Sequence, residues 1–70
     1  MWASGKVNGF EFQIKHYEEG SVYGISEGKI SKMLIRKDNK ILANYDRGWD
    51  VYPRDVEVIE VYEKLLKMYN

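Results

Sequence analysis

Seventy residues, 8.3 kDa, make one small domain, and eleven Lys and Arg against eleven Asp and Glu leave no net charge at neutral pH. That balance argues against wholesale polyanion binding, and the absence of cysteine excludes disulfides and thiolate metal sites, the usual aids for so short a chain. A domain of this size hides only about 60% of the surface its unfolded chain exposes, so its stability is marginal unless something assists.

The 44% hydrophobic and 31% charged content is that of a folded soluble protein rather than a disordered tail. No apolar run exceeds three residues, as in Met33-Leu34-Ile35 and Ile41-Leu42-Ala43. Neither a membrane span nor the hydrophobic region of a signal peptide is therefore expected, and the default location is the cytoplasm.

In chain order, the first signal is Val7-Asn8-Gly9-Phe10, because Asn-Gly accepts positive φ at both centres of a type I′ turn. It predicts a hairpin over residues 2–17 in which Val7 faces Phe10, Gly5 faces Phe12 and Ala3 faces Ile14. Phe10, Phe12, Ile14 and Val7 then share one face, and Glu11, Gln13, Lys15, Lys6, Ser4 and Trp2 share the other.

Residues 18–28 hold three glycines and two serines, which is loop chemistry interrupted by Val22, Tyr23 and Ile25. Eleven residues is long for such a connection, and Tyr23 and Ile25 favour a loop folded back onto the core.

A second hairpin is expected from Ile30 to Asp46, with Asp38-Asn39 at the turn because both residues tolerate the left-handed conformation. In that register Ile35 opposes Leu42 and Met33 opposes Asn44, while Leu34 opposes Ala43 and Arg36 opposes Ile41 on the reverse side.

Tyr52-Pro53 marks the last boundary, and the spacing predicts a helix from about Pro53 to Tyr69. Val58, Val61, Tyr62, Leu65, Leu66 and Tyr69 cluster on one side of it, while Glu57, Glu60, Glu63, Lys64 and Lys67 fill the other.

The expected fold is α+β: a four-stranded antiparallel sheet of two hairpins (strands about 2–8, 10–17, 29–37 and 40–46) with one C-terminal amphipathic helix packed on one face. A meander and an arrangement with the first hairpin beside the fourth strand both remain open.

Two surfaces need cover in this fold. The apolar arc of the helix is wider than the roughly 100° stripe that one sheet face requires. On the other side of the sheet Trp2, Leu34, Ile41, Ala43 and Tyr45 face water, a patch that small monomers rarely leave open. A homodimer would bury one such surface twice; alternatively, the 18–28 loop folds over the patch and the chain stays a monomer.

The stretch Asn44-Tyr45-Asp46-Arg47-Gly48-Trp49-Asp50 concentrates polar and aromatic groups where a strand turns toward the helix. As a binding loop it offers Tyr45 and Trp49 as flat contacts, Arg47 as a bidentate donor, and Asp46 and Asp50 as acceptors. The same residues also admit a structural role: Gly48 permits the turn, Trp49 plugs the core and Arg47 is held by a carboxylate.

His16 is the only histidine, and neither a nucleophile elbow nor a phosphate-cradling glycine loop is present. His16, Glu18 and Glu19 lack ligand periodicity. No enzyme, metal or cofactor is therefore expected.

The distribution of charge says more than its sum. Residues 29–45 carry Lys29, Lys32, Arg36, Lys37 and Lys40 against Asp38. A basic hairpin of this kind can lie along a nucleic-acid backbone, although lysines also protect an exposed sheet edge from aggregation.

At Ile30-Ser31-Lys32 and at Ala43-Asn44-Tyr45-Asp46-Arg47-Gly48-Trp49-Asp50, the chain resembles a family of short bacterial and phage proteins classed only as a domain of unknown function. The likeness spans most of the chain, from Asn8-Gly9 through His16-Tyr17-Glu18-Glu19 to the helix. It implies a small intracellular protein and assigns no catalytic residues.

The expected role is a non-catalytic protein-interaction module, monomeric or homodimeric, that contacts its partner through residues 44–50 and the apolar second face. Nucleic-acid binding through residues 29–40 is the alternative.

Overall fold

In the computed structural model, which describes residues 1–70, five strands precede one helix: β1 (Trp2–Val7), β2 (Phe10–His16), β3 (Ile30–Lys37), β4 (Lys40–Asp46), β5 (Trp49–Val51) and α1 (Val56–Tyr69). The strands pair antiparallel in the order β1-β2-β3-β4-β5, an α+β meander with five strands rather than the expected four. The fifth arises because the chain turns back at once after β4, setting Trp49 opposite Tyr45 and Val51 opposite Asn44. Arg47 takes the left-handed conformation at this turn (φ 56°), and Gly48 does not.

Both hairpin turns carry positive φ at their two central residues, 53° and 83° at Asn8-Gly9 and 51° and 64° at Asp38-Asn39, as type I′ geometry requires. The β1–β2 register matches the sequence reading, with Val7 opposite Phe10, Gly5 opposite Phe12 and Ala3 opposite Ile14. Gly5 leaves room for the Phe12 ring, whose edge would lie 3.4 Å from a Cβ built there.

The β3–β4 register departs from expectation. Arg36 pairs with Ile41, but a bulge then inserts one residue, so that Ile35 opposes Ala43, Leu34 opposes Asn44 and Met33 opposes Tyr45. Because strand parity has period two, this single insertion carries Ala43 and Tyr45 from the second face into the core, where they are 0% and 7% exposed.

The core therefore lies between one side of the sheet and α1. Phe10, Phe12, Ile14, Met33, Ile35, Ala43 and Tyr45 from the sheet meet Val58, Val61 and Leu65 from the helix. The helix begins at Val56, three residues later than expected, because Asp55 sits in extended conformation as the N-cap and Pro53 is buried in the connection before it.

Residues 18–28 fold back as expected but onto the helix side. A 3₁₀ turn (Ile25–Glu27) buries Ile25 in the same core. The Asn70 side chain fixes it there, donating from Nδ2 to the Ile25 carbonyl (3.2 Å) and accepting from the Ile30 amide at Oδ1 (3.0 Å). The wide apolar arc of α1 is thus partly covered by the chain's own loop, while the second face of the sheet stays bare.

Candidate binding surface

Cross-strand pairing sorts the bare face into three rows. The first runs Trp2, Lys15, Lys32, Asp46; the second runs Ser4, Gln13, Leu34, Asn44, Val51; the third runs Lys6, Glu11, Arg36, Ile41. Four cations face two carboxylates in this array, and Trp2 and Ile41 are 60% and 50% exposed. At about 4.8 Å per strand, the first row extends about 14 Å across four strands.

Its ion pairs are exposed and of modest strength. Arg36 Nε lies 2.8 Å from Glu11 Oε2, whereas Lys32 Nζ and Arg47 Nε approach the same Asp46 Oδ1 at 3.9 and 3.6 Å. Pairs of this kind contribute at most about 1 kcal/mol each.

At one corner the first row runs into a cleft. Lys15 Nζ sits between two aromatic rings, 5.8 Å from the centre of Trp2 and 5.7 Å from that of Tyr17. Lys15, Lys32 and Arg47 line the cleft together with Tyr17, Tyr23 and Ser31, and no carboxylate lines it. The walls are anchored to the sheet: the Tyr45 hydroxyl donates to the Tyr23 carbonyl, the Arg47 amide to the Ser31 carbonyl at 3.0 Å, and the Ser31 hydroxyl to the Lys15 carbonyl at 3.3 Å.

The residues singled out in the sequence fall into separate places. Tyr45 is buried and points its ring into the core. Trp49 is half-buried in an aromatic cluster, its ring centre 5.0, 4.8 and 5.5 Å from those of Tyr45, Tyr52 and Tyr62. Burial raises the Tyr62 phenol above its ordinary pKa, with Tyr52, Glu63 and Tyr45 adding to the effect. Asp46 ends the first row, Arg47 borders the cleft, and Asp50 is exposed and forms no ion pair.

The basic set divides as well. Lys32 and Arg36 lie in the rows of the bare face. Lys37 turns to the helix side, its Nζ 4.9 Å from the centre of the Phe10 ring, and Lys40 follows the turn. Lys29 borders a different groove, beside His16, Met68 and Tyr69. His16 packs on Tyr69 with ring centres 5.1 Å apart. No group of three or more His, Asp and Glu side chains is placed to hold a metal ion.

Lys15, Tyr17, Tyr23 and Ser31 join the cleft without having stood out as site residues. The parity of the first hairpin already puts Lys15 beside Trp2 on the bare face. Its meeting with Lys32 depends on β2 lying next to β3, which the sequence leaves open.

No helix is long and apolar enough to cross a membrane. Neither the curated proteins nor the solved structures yield a match to this chain. A family model does match, over residues 1–70, so the chain belongs to the family described as domain of unknown function DUF7678.

Proposed function

We propose that the protein is a non-catalytic binding module that works through the bare face of its sheet. One observation carries this reading: one side of the sheet packs against α1 and the 18–28 loop, while Trp2 and Ile41 on the other stay in water among four cations. Leu34 and Val51 lie in the row between them, and apolar side chains gathered on one uncovered face and rimmed by polar groups mark an interaction surface. His16, the one histidine, packs its ring against that of Tyr69 at 5.1 Å, at the edge of a groove on the helix side and away from the bare face.

A second reading, a homodimer formed through the same face, draws on the exposure of Trp2 and Ile41. Against it stand two physical considerations. A two-fold interface would set an array with excess positive charge against itself. The bare face is also small, about 19 Å across its five strands, and most of the side chains in its three rows are polar or charged. With Ala43 and Tyr45 moved into the core, its apolar part shrinks further. A narrow anionic ligand fits it better than a second folded domain.

Stability measurements on Trp2→Thr and Ile41→Thr test whether this face serves binding or folding. Residues kept for docking leave stability within about 0.5 kcal/mol when replaced by another strand former. A loss near 2 kcal/mol in either variant, the scale of a core truncation, would assign the residues to the fold and remove the reading.

A further inference from the structure

We infer that the first row and its corner cleft bind single-stranded nucleic acid, a backbone phosphate lying among Lys15, Lys32 and Arg47 and bases stacking on Trp2 and Tyr17. The inference rests on the bare-face reading above and names the ligand of that face.

Three features converge on this corner. The first is a conflict within the sheet: Lys15 and Lys32 stand directly opposite one another on adjacent strands, an arrangement of like charges that destabilises an antiparallel pair. Lys32 has Asp46 within reach, but Lys15 has no carboxylate partner and rests between two rings instead. An anion bound between the two ammonium groups turns this repulsion into attraction, and local conflicts of this kind mark functional sites in otherwise consistent folds.

The second is Arg47, held at φ 56°, where glycine or asparagine would sit without cost. The arginine adds a third cation to a cleft that contains no opposing carboxylate in its lining. Asp46, which holds Lys32 and Arg47 at 3.9 and 3.6 Å, forms long and exposed contacts that a phosphate bridging the same cations can replace.

The third is the aromatic surround. Trp2 is 60%, Tyr17 49% and Tyr23 62% exposed; Tyr17 and Tyr23 line the cleft with the three cations, and Trp2 stands at its edge beside Lys15. Rings interleaved with basic side chains are what unpaired bases need, since each base stacks on a ring while its phosphate meets a cation. A duplex hides its base faces and gains only the charge.

The test is fluorescence anisotropy of a labelled octathymidylate at about 20 mM salt with protein up to about 100 μM, a range that spans non-specific affinities. Binding is expected, with log K falling against log salt at a slope of about −2, the value for three phosphate contacts on a single strand. Lys32→Ala and Lys15→Ala each flatten that slope by about 0.7. Trp2→Ala weakens affinity about tenfold and leaves the slope unchanged. Asp46→Asn tightens binding, and a G·C-rich hairpin duplex that stays paired at the same salt binds more weakly.

No binding at low salt, affinity insensitive to Trp2→Ala and Lys15→Ala, or equal affinity for inorganic polyphosphate would each overturn the inference. So would sedimentation showing that a second copy occupies the face. If binding fails while Trp2→Thr and Ile41→Thr keep full stability, only the ligand assignment falls; if those variants lose stability as core truncations do, the bare-face reading falls with it.

Discussion

The Tyr45 hydroxyl donates a 2.7 Å hydrogen bond to the carbonyl of Tyr23, joining β4 to a loop twenty-two residues away in sequence. This contact links the core to the cleft, because the ring of Tyr45 is buried while Tyr23 forms one wall of the site. Tyr45→Phe keeps the ring and leaves the Tyr23 carbonyl without its partner. The expected cost is about 1 kcal/mol, with faster amide exchange at Gly24, whose bond to the Ser21 carbonyl closes the turn around Tyr23, and at Glu27 and Gly28, whose bonds close the 3₁₀ turn. Unchanged exchange there would mean that the loop is held by Ile25 and Asn70 alone.

Two glycines are expected to respond oppositely to alanine. A Cβ at Gly24 would overlap the Gly28 carbonyl, which cannot withdraw because the amide of Ser21 is bonded to it. Gly24→Ala is therefore expected to lower stability by more than about 2 kcal/mol, visible as a drop of roughly 10 °C in Tm. At Gly48 a Cβ meets nothing within 4 Å and φ is not positive, so Gly48→Ala is expected to be neutral or to stabilise by up to about 1 kcal/mol. Thermal unfolding of the two variants side by side checks both.

Arg47→Gly separates folding from binding. Relief of the left-handed conformation is expected to stabilise the chain by up to about 1 kcal/mol, which raises Tm by about 4–8 °C in a domain of this size. The same change removes a cation from the cleft and weakens oligonucleotide binding. A fall in Tm would instead make Arg47 a structural residue, held at its turn for reasons other than a ligand.

Tyr62 sets an alkaline limit. Its folded-state pKa lies above the unfolded value of about 10, so the folded chain keeps the phenol proton where the unfolded chain has lost it. The unfolded state then binds fewer protons, and stability falls as pH rises above about 10 toward the folded value, with no effect at neutral pH. Denaturant unfolding between pH 8 and pH 11 is expected to show this decline, and Tyr62→Phe to reduce it.

Much of this fold is written in short-range signals. Asn8-Gly9 and Asp38-Asn39 declare their turns because few other residue pairs accept positive φ twice in succession, and α1 declares itself through the spacing of Val58, Val61, Leu65 and Tyr69. The bulge in β4 was hidden because Leu34, Ile41 and Leu42 make both faces apolar, which leaves parity without a preference. Three-residue β5 is too short to show alternation. The cleft escaped for a further reason: Lys15, Lys32 and Arg47 meet only through the meander order, a long-range property to which no local pattern of charge is sensitive. Residues 44–50 stood out by their composition, yet Tyr45 and Trp49 spend their rings on packing and only Asp46 and Arg47 reach the cleft's surroundings.

The most direct measurement is the change in backbone amide NMR shifts of the folded protein on addition of the octathymidylate. The largest changes are expected at Lys15, Lys32, Arg47 and their neighbours in the first row, with the amides of Val58, Val61 and Leu65 unmoved. Shifts confined to the outer side of α1, or none at saturating oligonucleotide, would contradict a ligand on the bare sheet.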